Sequence, residues 1–279
     1  MIEGGSRLSG NPPKISPLVT IITVVLNGEK HIERTIQNAL SQKRQNLEYI
    51  IIDGASKDAT IQVIKKYNAL IDYWLSESDT GLYDAMNKGI RFAKGQYIGF
   101  LNSGDLYCDN TFDLLYDAIQ KFDSPAVIYG DTFIYNQELE IKVLQKAIAD
   151  FSQIKKRMIA CHQSMFIKKT VYDQLGCFNL KYRIAADYEI LTRLDTRQNK
   201  TVYINQPLSL FHEGGFSNNF RLDIDYYKIQ RKNGLQIWAF IKLIKSFFNY
   251  FFYYTRKKLF ILFFGIKKYE TIRKQRNTR

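Results

Sequence analysis

Apolar and polar positions alternate between two patterns over the first hundred residues. Short runs rich in apolar and β-branched residues predict buried strands. These runs are Val19–Leu26, Leu47–Ile52, Asp72–Ser76 and Tyr97–Leu101. Between them, apolar residues recur at helical spacing, as at Ile32, Ile36, Ala39 and Leu40, or Ile61, Ile64 and Tyr67, with a further helix over Leu82–Ala93. Repeated strand–helix alternation predicts an α/β fold with a mostly parallel sheet, right-handed crossovers and flanking helices.

The pattern changes after Asp105 and predicts a more mixed second half. A helix is expected over Thr111–Lys121, a strand over Ala126–Tyr129, and a hairpin that pairs Thr132–Tyr135 with Glu140–Leu144. Ile184–Glu189 opens another helix, and Val202–Ile204 and Leu208–Phe211 read as two short strands.

Each predicted strand of the first half ends in a polar turn. These turns hold Asn27, Asp53, Ser78-Asp79 and Asn102–Asp105. Because the carboxyl ends of parallel strands share one edge of a sheet, the turns should converge on one ligand-binding crevice. A carboxylate there can hold a hard divalent cation and, through it, a diphosphate, although Asn102–Asp105 is also a sequence for an ordinary Asx turn.

Other nucleotide-binding classes lose their main support. No G-x-G-x-x-G follows the first strand, and the chain has no G-x-x-x-x-G-K-[ST]. Three widely spaced cysteines without a CxxC pair indicate neither a zinc site nor a disulfide framework, which fits a reducing compartment.

The net charge of +13 is concentrated at the carboxyl-terminal end. Residues 221–279 carry 15 Lys/Arg against 3 Asp/Glu, whereas residues 1–220 carry 25 against 24. A nucleic-acid-binding domain would more often spread its basic surface over the folded body, so no nucleic-acid partner is expected. We therefore divide the chain into a disordered segment, 1–15, a folded domain, 16–220, and a basic tail, 221–279.

Five stretches carry a resemblance to a known family. They are Pro17–Thr23 through Asn27, Ile51–Asp58, Ser76–Gly89, Leu101–Asp105 and Ala186–Glu189. In this order and spacing the chain resembles family 2 glycosyltransferases of the GT-A fold, in particular bacterial enzymes that build surface polysaccharide. The resemblance covers roughly residues 17–217 and implies a Rossmann-like nucleotide-binding half joined to an acceptor half.

The resemblance implies roles for individual residues. It assigns the nucleotide-sugar pocket to Thr23, Asn27, Asp53, Asp79, Asn87, Asn102 and Gly104, the metal to Asp105, and the general base to Asp187. His212 is either a further metal ligand or an ordinary loop histidine, and His162 either lines the acceptor site or lies in the core. Glu189 is expected to be a structural partner rather than the base, and Tyr83 and Asp84 to pack and cap. Gly104 stands where the family's D-x-D-type motif has its first Asp, which leaves one acidic contact.

These roles imply an inverting transfer from a UDP-sugar with Mg²⁺ or Mn²⁺. The cation would stabilise the leaving diphosphate, and one carboxylate would take the proton of the acceptor hydroxyl. Two other hypotheses are kept. A sugar-nucleotide nucleotidyltransferase would need a Gly-rich basic loop after the first strand, and Asn27–Ile32 does not provide one; a non-catalytic membrane-surface module would not need Asp187.

The tail is dense in aromatic residues between Leu235 and Tyr269. Lys242, Lys245, Asn249 and Arg256 form one polar stripe, and no uninterrupted apolar stretch reaches the ~20 residues that span a bilayer. We expect an in-plane amphipathic helix followed by a second short apolar segment, bound to an anionic membrane surface. This would place the protein on the cytoplasmic face of the cell membrane, near a lipid-linked glycan acceptor. A homodimer through the C-terminal helices is the alternative.

Overall fold

A ten-stranded mixed sheet forms the centre of the protein. The computed structural model describes residues 1–8, 16–42, 46–136, 139–212 and 220–264. The strands are β1 (Ile2–Gly4), β2 (Val19–Val25), β3 (Leu47–Asp53), β4 (Tyr73–Ser76), β5 (Tyr97–Phe100), β6 (Leu106–Tyr107), β7 (Val127–Asn136), β8 (Ile141–Gln145), β9 (Met165–Lys168) and β10 (Thr201–His212). Their order is β1-β4-β3-β2-β5-β9-β7-β10-β6, with β8 paired to β7.

The helices lie on both sides of this sheet. They are α1 (Ile32–Ser41), α2 (Thr60–Lys66), α3 (Leu82–Phe92), α4 (Thr111–Lys121), α5 (Lys169–Leu175), α6 (Ala186–Thr192), α7 (Phe220–Lys232) and α8 (Gln236–Phe264). Short 3₁₀ turns cover Ser6–Leu8, Phe151–Lys155 and His162–Ser164.

The first half confirms the predicted parallel sheet. Strands β4, β3, β2 and β5 pair in parallel, and all residues of these four strands are buried. Successive side chains point to opposite faces: Ile22 and Ile50 join one core, whereas Ile21 and Ile51 join the other. Because helices cover both faces, a continuous apolar run and not an alternating one marks these strands.

The second half joins this sheet through an antiparallel strand. Strand β9 lies between β5 and β7 and runs antiparallel to both, and β10 is parallel to β7. The predicted hairpin is confirmed as β7–β8; its residues 137 and 138 lie outside the described residues. The two short strands predicted at 202–211 are instead one strand, β10. Its register shifts around Pro207, which has no N–H to donate to a ladder.

The amino-terminal segment differs from the prediction. Residues 2–4 form β1, which pairs antiparallel with β4 at the edge of the sheet. Arg7 forms an ion pair with the buried Glu48 and donates to the carbonyl of Phe92 at 3.1 Å. Residues 1–8 are therefore part of the fold, and the prediction of disorder was wrong for them. Residues 9–15 lie outside the described residues.

Helix α7 lies at the start of the segment predicted as the basic tail, 221–279. Helix α7 packs on the sheet-containing domain, with Ile229 fully buried in one core and Tyr226 stacked on Tyr188 at 4.6 Å between ring centroids. Asp225 accepts from the backbone N–H of Ile184 at 3.1 Å. The positive charge of residues 221–279 led us to predict α7 as part of the tail. The apolar face of α7, however, packs into the core beside α6.

Helix α8 follows as one continuous element of 29 residues. It passes through Arg256-Lys257-Lys258, so the predicted break before a second apolar segment is absent up to Phe264. Residues 265–279 lie outside the described residues. Among the helices that the structure describes, none has the length and apolar character required to cross a membrane.

Candidate active site

Asp53 ends β3 and organises the first polar turns. Its side chain is fully buried. One carboxylate oxygen accepts from the Ser56 backbone N–H at 2.9 Å and from the Ser76 hydroxyl at 2.6 Å, and the other accepts from the Ser56 hydroxyl. The carboxylate thus ties the ends of β3 and β4 together.

The turn after β2 is bound to the turn after β3. Asn27 adopts a positive φ of 51°, its N–H donates to the Ser56 hydroxyl at 2.7 Å, and its Oδ1 accepts from the Lys57 N–H at 2.9 Å. The Gly28 N–H donates to Thr60 at 2.8 Å. Asn tolerates this left-handed backbone better than most residues, so the sequence Asn-Gly both ends the strand and aligns the turn.

Asp79 lies beside the same turns. A Cβ at Gly54 would stand 2.4 Å from Asp79 Oδ2, so glycine lets the two turns approach. Burial raises the pKa of Asp79, an effect opposed by the Gly81 N–H and by Lys88. The buried side chain of Lys88 donates to the Ser78 carbonyl at 2.7 Å and pairs with Glu77 at 2.9 Å. The turn is therefore braced from α3.

Two of the predicted nucleotide-pocket residues, Thr23 and Asn87, make hydrogen bonds within the protein. Thr23 is fully buried inside the sheet, where its hydroxyl lies 3.0 Å from that of Tyr49. Asn87 uses its amide in both directions on the backbone of Phe178, donating to the carbonyl and accepting from the N–H at 2.9 Å each. The Thr23 side chain points into the interior of the sheet because of its position in the strand. The Asn87 amide joins helix α3 to the loop that contains Phe178.

The turn Asn102–Asp105 is held by α1. Gly104 has a φ of +104°, a conformation that favours glycine, and its N–H donates to the Thr35 hydroxyl at 2.9 Å. Thr35 in turn donates to the Asp105 carbonyl at 3.2 Å. A Cβ at Gly28 would stand 2.9 Å from Ser103 Oγ, which brings this turn against the one after β2. The predicted role of Gly104 is thereby reduced to backbone shape.

Asp105 is buried, with 4% of its surface exposed. Its Oδ2 accepts from the Gln163 side chain at 2.8 Å and its Oδ1 from the backbone N–H of His212 at 3.1 Å. Burial raises its pKa to about 6, and these two donors, together with His162, offset part of the effect. The carboxylate is thus held in a place where its negative charge is costly, which a bound cation would relieve.

Unpartnered polar atoms collect around this carboxylate. Within the described residues, five buried side-chain N or O atoms lack a hydrogen-bond partner, and three of them are Asn102 Oδ1, Ser103 Oγ and His212 Nδ1. Burial lowers the pKa of His212, with Arg34 and His31 adding to the effect, and this favours the neutral imidazole that binds metals.

This donor set fits a divalent cation that is also held by phosphates. The described residues contain no group of three His, Cys, Asp or Glu side chains arranged to hold a metal by themselves. Mg²⁺ commonly uses one or two carboxylates and completes its coordination with water and substrate phosphates. Asp105 and His212 therefore remain the predicted metal ligands.

Asp187 begins α6 on the other side of this turn. Its Oδ1 accepts from the Tyr83 hydroxyl at 2.8 Å, and its Oδ2 lies 3.5 Å from His162 Nδ1. Burial alone would raise the pKa of Asp187, but the hydrogen bond and charge of His162, with Tyr83, outweigh it and hold the pKa below its ordinary value. Asp187 is therefore an ionised carboxylate with part of its surface open to solvent.

Two adjacent residues connect the carboxylates. His162 lies against Asp187, and Gln163 donates to Asp105. Sequence reasoning missed Gln163 and left the place of His162 open; the polar run Cys161–Ser164 before a buried strand was the available signal. Asp105 and Asp187, 82 positions apart in the chain, are thus brought to one region of the site.

Glu189 has a separate structural role. It is 1% exposed, and its carboxylate pairs with Arg193 at 2.6 Å and with Lys232 of α7 at 3.1 Å. Arg193 also donates to the carbonyls of Leu175 and Cys177. Both oxygens are committed to cations, so Glu189 fastens α6 to its neighbours and is not available as a base.

A parallel sheet with polar strand ends, joined to a second half that supplies a further carboxylate, is the arrangement expected of a GT-A fold. The sequence profile described as glycosyl transferase family 2 matches residues 20–177. This is more than half of the chain, which belongs to glycosyl transferase family 2.

Individual relatives agree with this assignment. A PGL/p-HBAD biosynthesis glycosyltransferase of Mycobacterium bovis is 24% identical over 218 residues, covering 76% of this chain and 84% of the relative. Among solved structures, S. aureus TarS 1–349 in complex with UDP-GlcNAc aligns with a TM-score of 0.63 at 14% identity, over 90% of this chain and 77% of TarS 1–349. A mannosyltransferase from Pyrobaculum calidifontis in complex with GDP-Man and Mn²⁺ aligns with a TM-score of 0.58 at 16% identity, over 84% and 75% of the two chains. At these identities the structural matches establish the fold.

Proposed function

We propose that this glycosyltransferase moves a sugar from a UDP-sugar to a hydroxyl of a glycan acceptor, with inversion at the anomeric carbon and with a bound Mg²⁺ or Mn²⁺. The observation that carries the proposal is the pair of carboxylates joined through His162 and Gln163. One is buried among unpartnered polar atoms, and the other is ionised and reachable. TarS crystallised with UDP-GlcNAc and the Pyrobaculum enzyme with GDP-Man and Mn²⁺ support a nucleotide-sugar donor and a divalent cation.

The donor's base and ribose would lie over the turns of Asn27, Asp53 and Asp79. Asp53 has already committed its oxygens to Ser56 and Ser76, so we expect it to shape this pocket and accept at most one further hydrogen bond. Asp105 and His212 would hold the cation, which when bound would offset the negative charge that grows on the leaving diphosphate.

Asp187 would act as the general base. The acceptor hydroxyl gives its proton to the Asp187 carboxylate as its oxygen attacks the anomeric carbon, and the bond from that carbon to the diphosphate oxygen breaks. A single displacement by one base inverts the anomeric centre. Burial and Asp187 raise the pKa of Tyr83, so the phenol keeps its proton and continues to donate to the base.

The test is nucleotide release from a panel of UDP- and GDP-sugars, with acceptor glycans, in the presence and absence of EDTA. Asp187→Asn should lower transfer by about 10²–10⁴-fold, the usual contribution of a general base, while binding of UDP stays close to that of the wild type. Asp117→Asn, an exposed aspartate on α4, is the matched control. Turnover that resists EDTA, or full transfer by the Asp187 variant, would contradict the proposal.

We propose in addition that α8 binds an anionic membrane surface at the cytoplasmic face, close to a lipid-linked acceptor of surface polysaccharide synthesis. Its large apolar side chains are exposed: Ile237, Trp238, Phe240, Ile241, Ile244, Phe247, Phe248, Phe251 and Phe252. Such a patch on a soluble surface is unusual, and residues 221–279 add a strong positive charge that suits an anionic leaflet. The three cysteines are free thiols, as a reducing compartment requires.

Vesicle flotation distinguishes this proposal from a dimer. The wild type should float with phosphatidylglycerol vesicles and much less with phosphatidylcholine vesicles, and high salt should weaken the binding. Replacing Phe248, Phe251 and Phe252 together by serine should abolish flotation and leave nucleotide release unchanged. A dimer in light scattering that does not float would overturn the membrane proposal.

A further inference from the structure

The imidazole of His162 lies between an amide and a carboxylate. Its Nε2 is 3.2 Å from Asn102 Nδ2, and its Nδ1 is 3.5 Å from Asp187 Oδ2. Asn102 belongs to the turn that carries Asp105, whereas Asp187 belongs to α6 in the second half of the fold. His162 is therefore the side chain through which the turn of the predicted metal ligand touches the predicted base.

The chemistry of the two neighbours fixes where the ring proton sits. The Asn102 NH₂ group is a donor only, so Nε2 must accept from it. A neutral imidazole then carries its proton on Nδ1, the ring nitrogen that lies 3.5 Å from Asp187 Oδ2. The opposite orientation of the Asn102 amide would place the Nδ1 lone pair against an ionised carboxylate, which is unfavourable.

We infer that His162 is a positioning residue for Asp187, in the Nδ1–H tautomer set by Asn102. This inference rests on the proposed function, because it assigns His162 a purpose only if Asp187 is the base. Each oxygen of the Asp187 carboxylate has its own neighbour: the Tyr83 hydroxyl donates to Oδ1, and His162 Nδ1 lies near Oδ2. Holding the carboxylate in one orientation is the way in which such a pair of contacts would assist a general base.

The adjacent residue extends the arrangement. Gln163 is fully buried and spends its amide N–H on Asp105, while its carbonyl oxygen accepts from the Cys161 thiol at 2.7 Å. A short 3₁₀ turn therefore fixes both carboxylates with consecutive side chains. His162 therefore contacts both the Asn102–Asp105 turn and Asp187.

Imidazole nitrogen NMR tests the tautomer without any substrate. The chain has three histidines, so ¹⁵N-histidine labelling gives a simple spectrum, and His162→Gln identifies the signals of His162. Under conditions in which the ring is neutral, we expect the proton on Nδ1. In Asn102→Ala that preference should weaken. A neutral ring protonated on Nε2 in the wild type would overturn the inference.

Kinetics test the positioning role. His162→Leu removes the donor and should lower kcat by about 10–100-fold, the loss seen when a partner that orients a functional group is removed, with the donor KM nearly unchanged. His162→Gln keeps an acceptor for Asn102 and a donor for Asp187, so it should recover much of the loss. Equal damage by both variants, or a loss confined to KM, would contradict positioning.

The pH profile separates positioning from a merely structural role. The titratable groups that face Asp187 are Tyr83 on α3, Cys161 and His162 beside the 3₁₀ turn, Tyr172 on α5 and Tyr226 on α7. The contact with His162 lowers the pKa of Asp187, so His162→Leu should move the acid limb of kcat/KM to higher pH. A lower melting temperature with an unmoved limb would reject the role. If Asp187→Asn is inactive and the His162 variants are normal, this inference fails and the proposed function stands.

Discussion

The polar turns of the first half and the region around Asp105 differ in how completely their hydrogen bonds are made. At the ends of β2, β3 and β4, the Asp53 carboxylate meets three donors, and Asn27 uses both its N–H and its Oδ1. Around Asp105, by contrast, Asn102 Oδ1, Ser103 Oγ and His212 Nδ1 are buried without partners. In the first region the protein itself supplies the hydrogen-bond partners, whereas in the second region we expect a ligand to supply them.

The difference indicates that one part of the site shapes the pocket and that the other part binds the ligand. Buried polar groups are usually satisfied, and each exception requires an explanation. The polar groups of Asp53 and Asn27 are satisfied by the protein itself and shape the wall of the pocket. In the unsatisfied region, burial disfavours the negative charge of Asp105 and raises its pKa. A bound cation and diphosphate would remove this unfavourable contribution.

Asp105→Asn should give the largest effect. It removes the predicted anionic ligand, and since a metal ion contributes several kcal/mol of charge stabilisation, transfer should fall by at least about 10²-fold. Stability should not fall, because the amide needs no charge desolvation and Gln163 can rotate to pair with it. Nucleotide release and urea unfolding measure the two, with Asp117→Asn as control; a variant that is both active and unstable would invert the comparison.

Asp53→Ala should act on stability instead. It leaves two hydroxyls and one N–H without their acceptor, so the free energy of unfolding should fall by about 3 kcal/mol, roughly 1 kcal/mol for each donor. Ser76→Ala removes one of these bonds and should cost about a third as much. Urea unfolding of both variants provides the measurement, and an undiminished stability of Asp53→Ala would show that the turns are not held by this carboxylate.

Asn87→Ala tests the reassignment of a predicted nucleotide contact. Losing both bonds to the Phe178 backbone should lower the free energy of unfolding by about 1–2 kcal/mol, while the donor KM stays at the wild-type value. A raised donor KM with normal stability would restore the original prediction.

The smallest effect concerns Asp187 and pH. Its folded pKa lies below the unfolded value of 3.8, so the stability it contributes is present above pH 3.8 and is lost as pH falls through the folded pKa. The difference in unfolding free energy between wild type and Asp187→Asn should therefore be constant above pH 5 and shrink in stronger acid. A difference that shrinks instead between pH 7 and 5 would mean that His162 and Tyr83 do not stabilise the ionised form.

Local pattern predicted the scaffold well where one rule acted alone. The four parallel strands follow from apolar runs, since a strand covered on both faces leaves no polar alternation. The nucleotide contact that the resemblance gave Thr23 stays a prediction, because a β-branched polar side chain fits both a strand interior and a strand end. The pattern failed at α7, where charge concealed an apolar face that contains Ile229, and at residues 2–4, which have too few apolar positions to mark a strand.

The sequence by itself determined the parallel half, the family motifs and the residue types that sugar transfer needs, because these depend on near neighbours in the chain and on fixed spacing. Only the tertiary structure decided which polar side chains form hydrogen bonds within the protein and which are available to a ligand. The answer depends on partners that are far away in sequence. The Asn87 amide donates to the backbone of Phe178, the Asp53 carboxylate accepts from Ser76, and His162 lies against Asp187. Hydrogen-bond satisfaction is a property of the whole packed chain, and no local pattern encodes it.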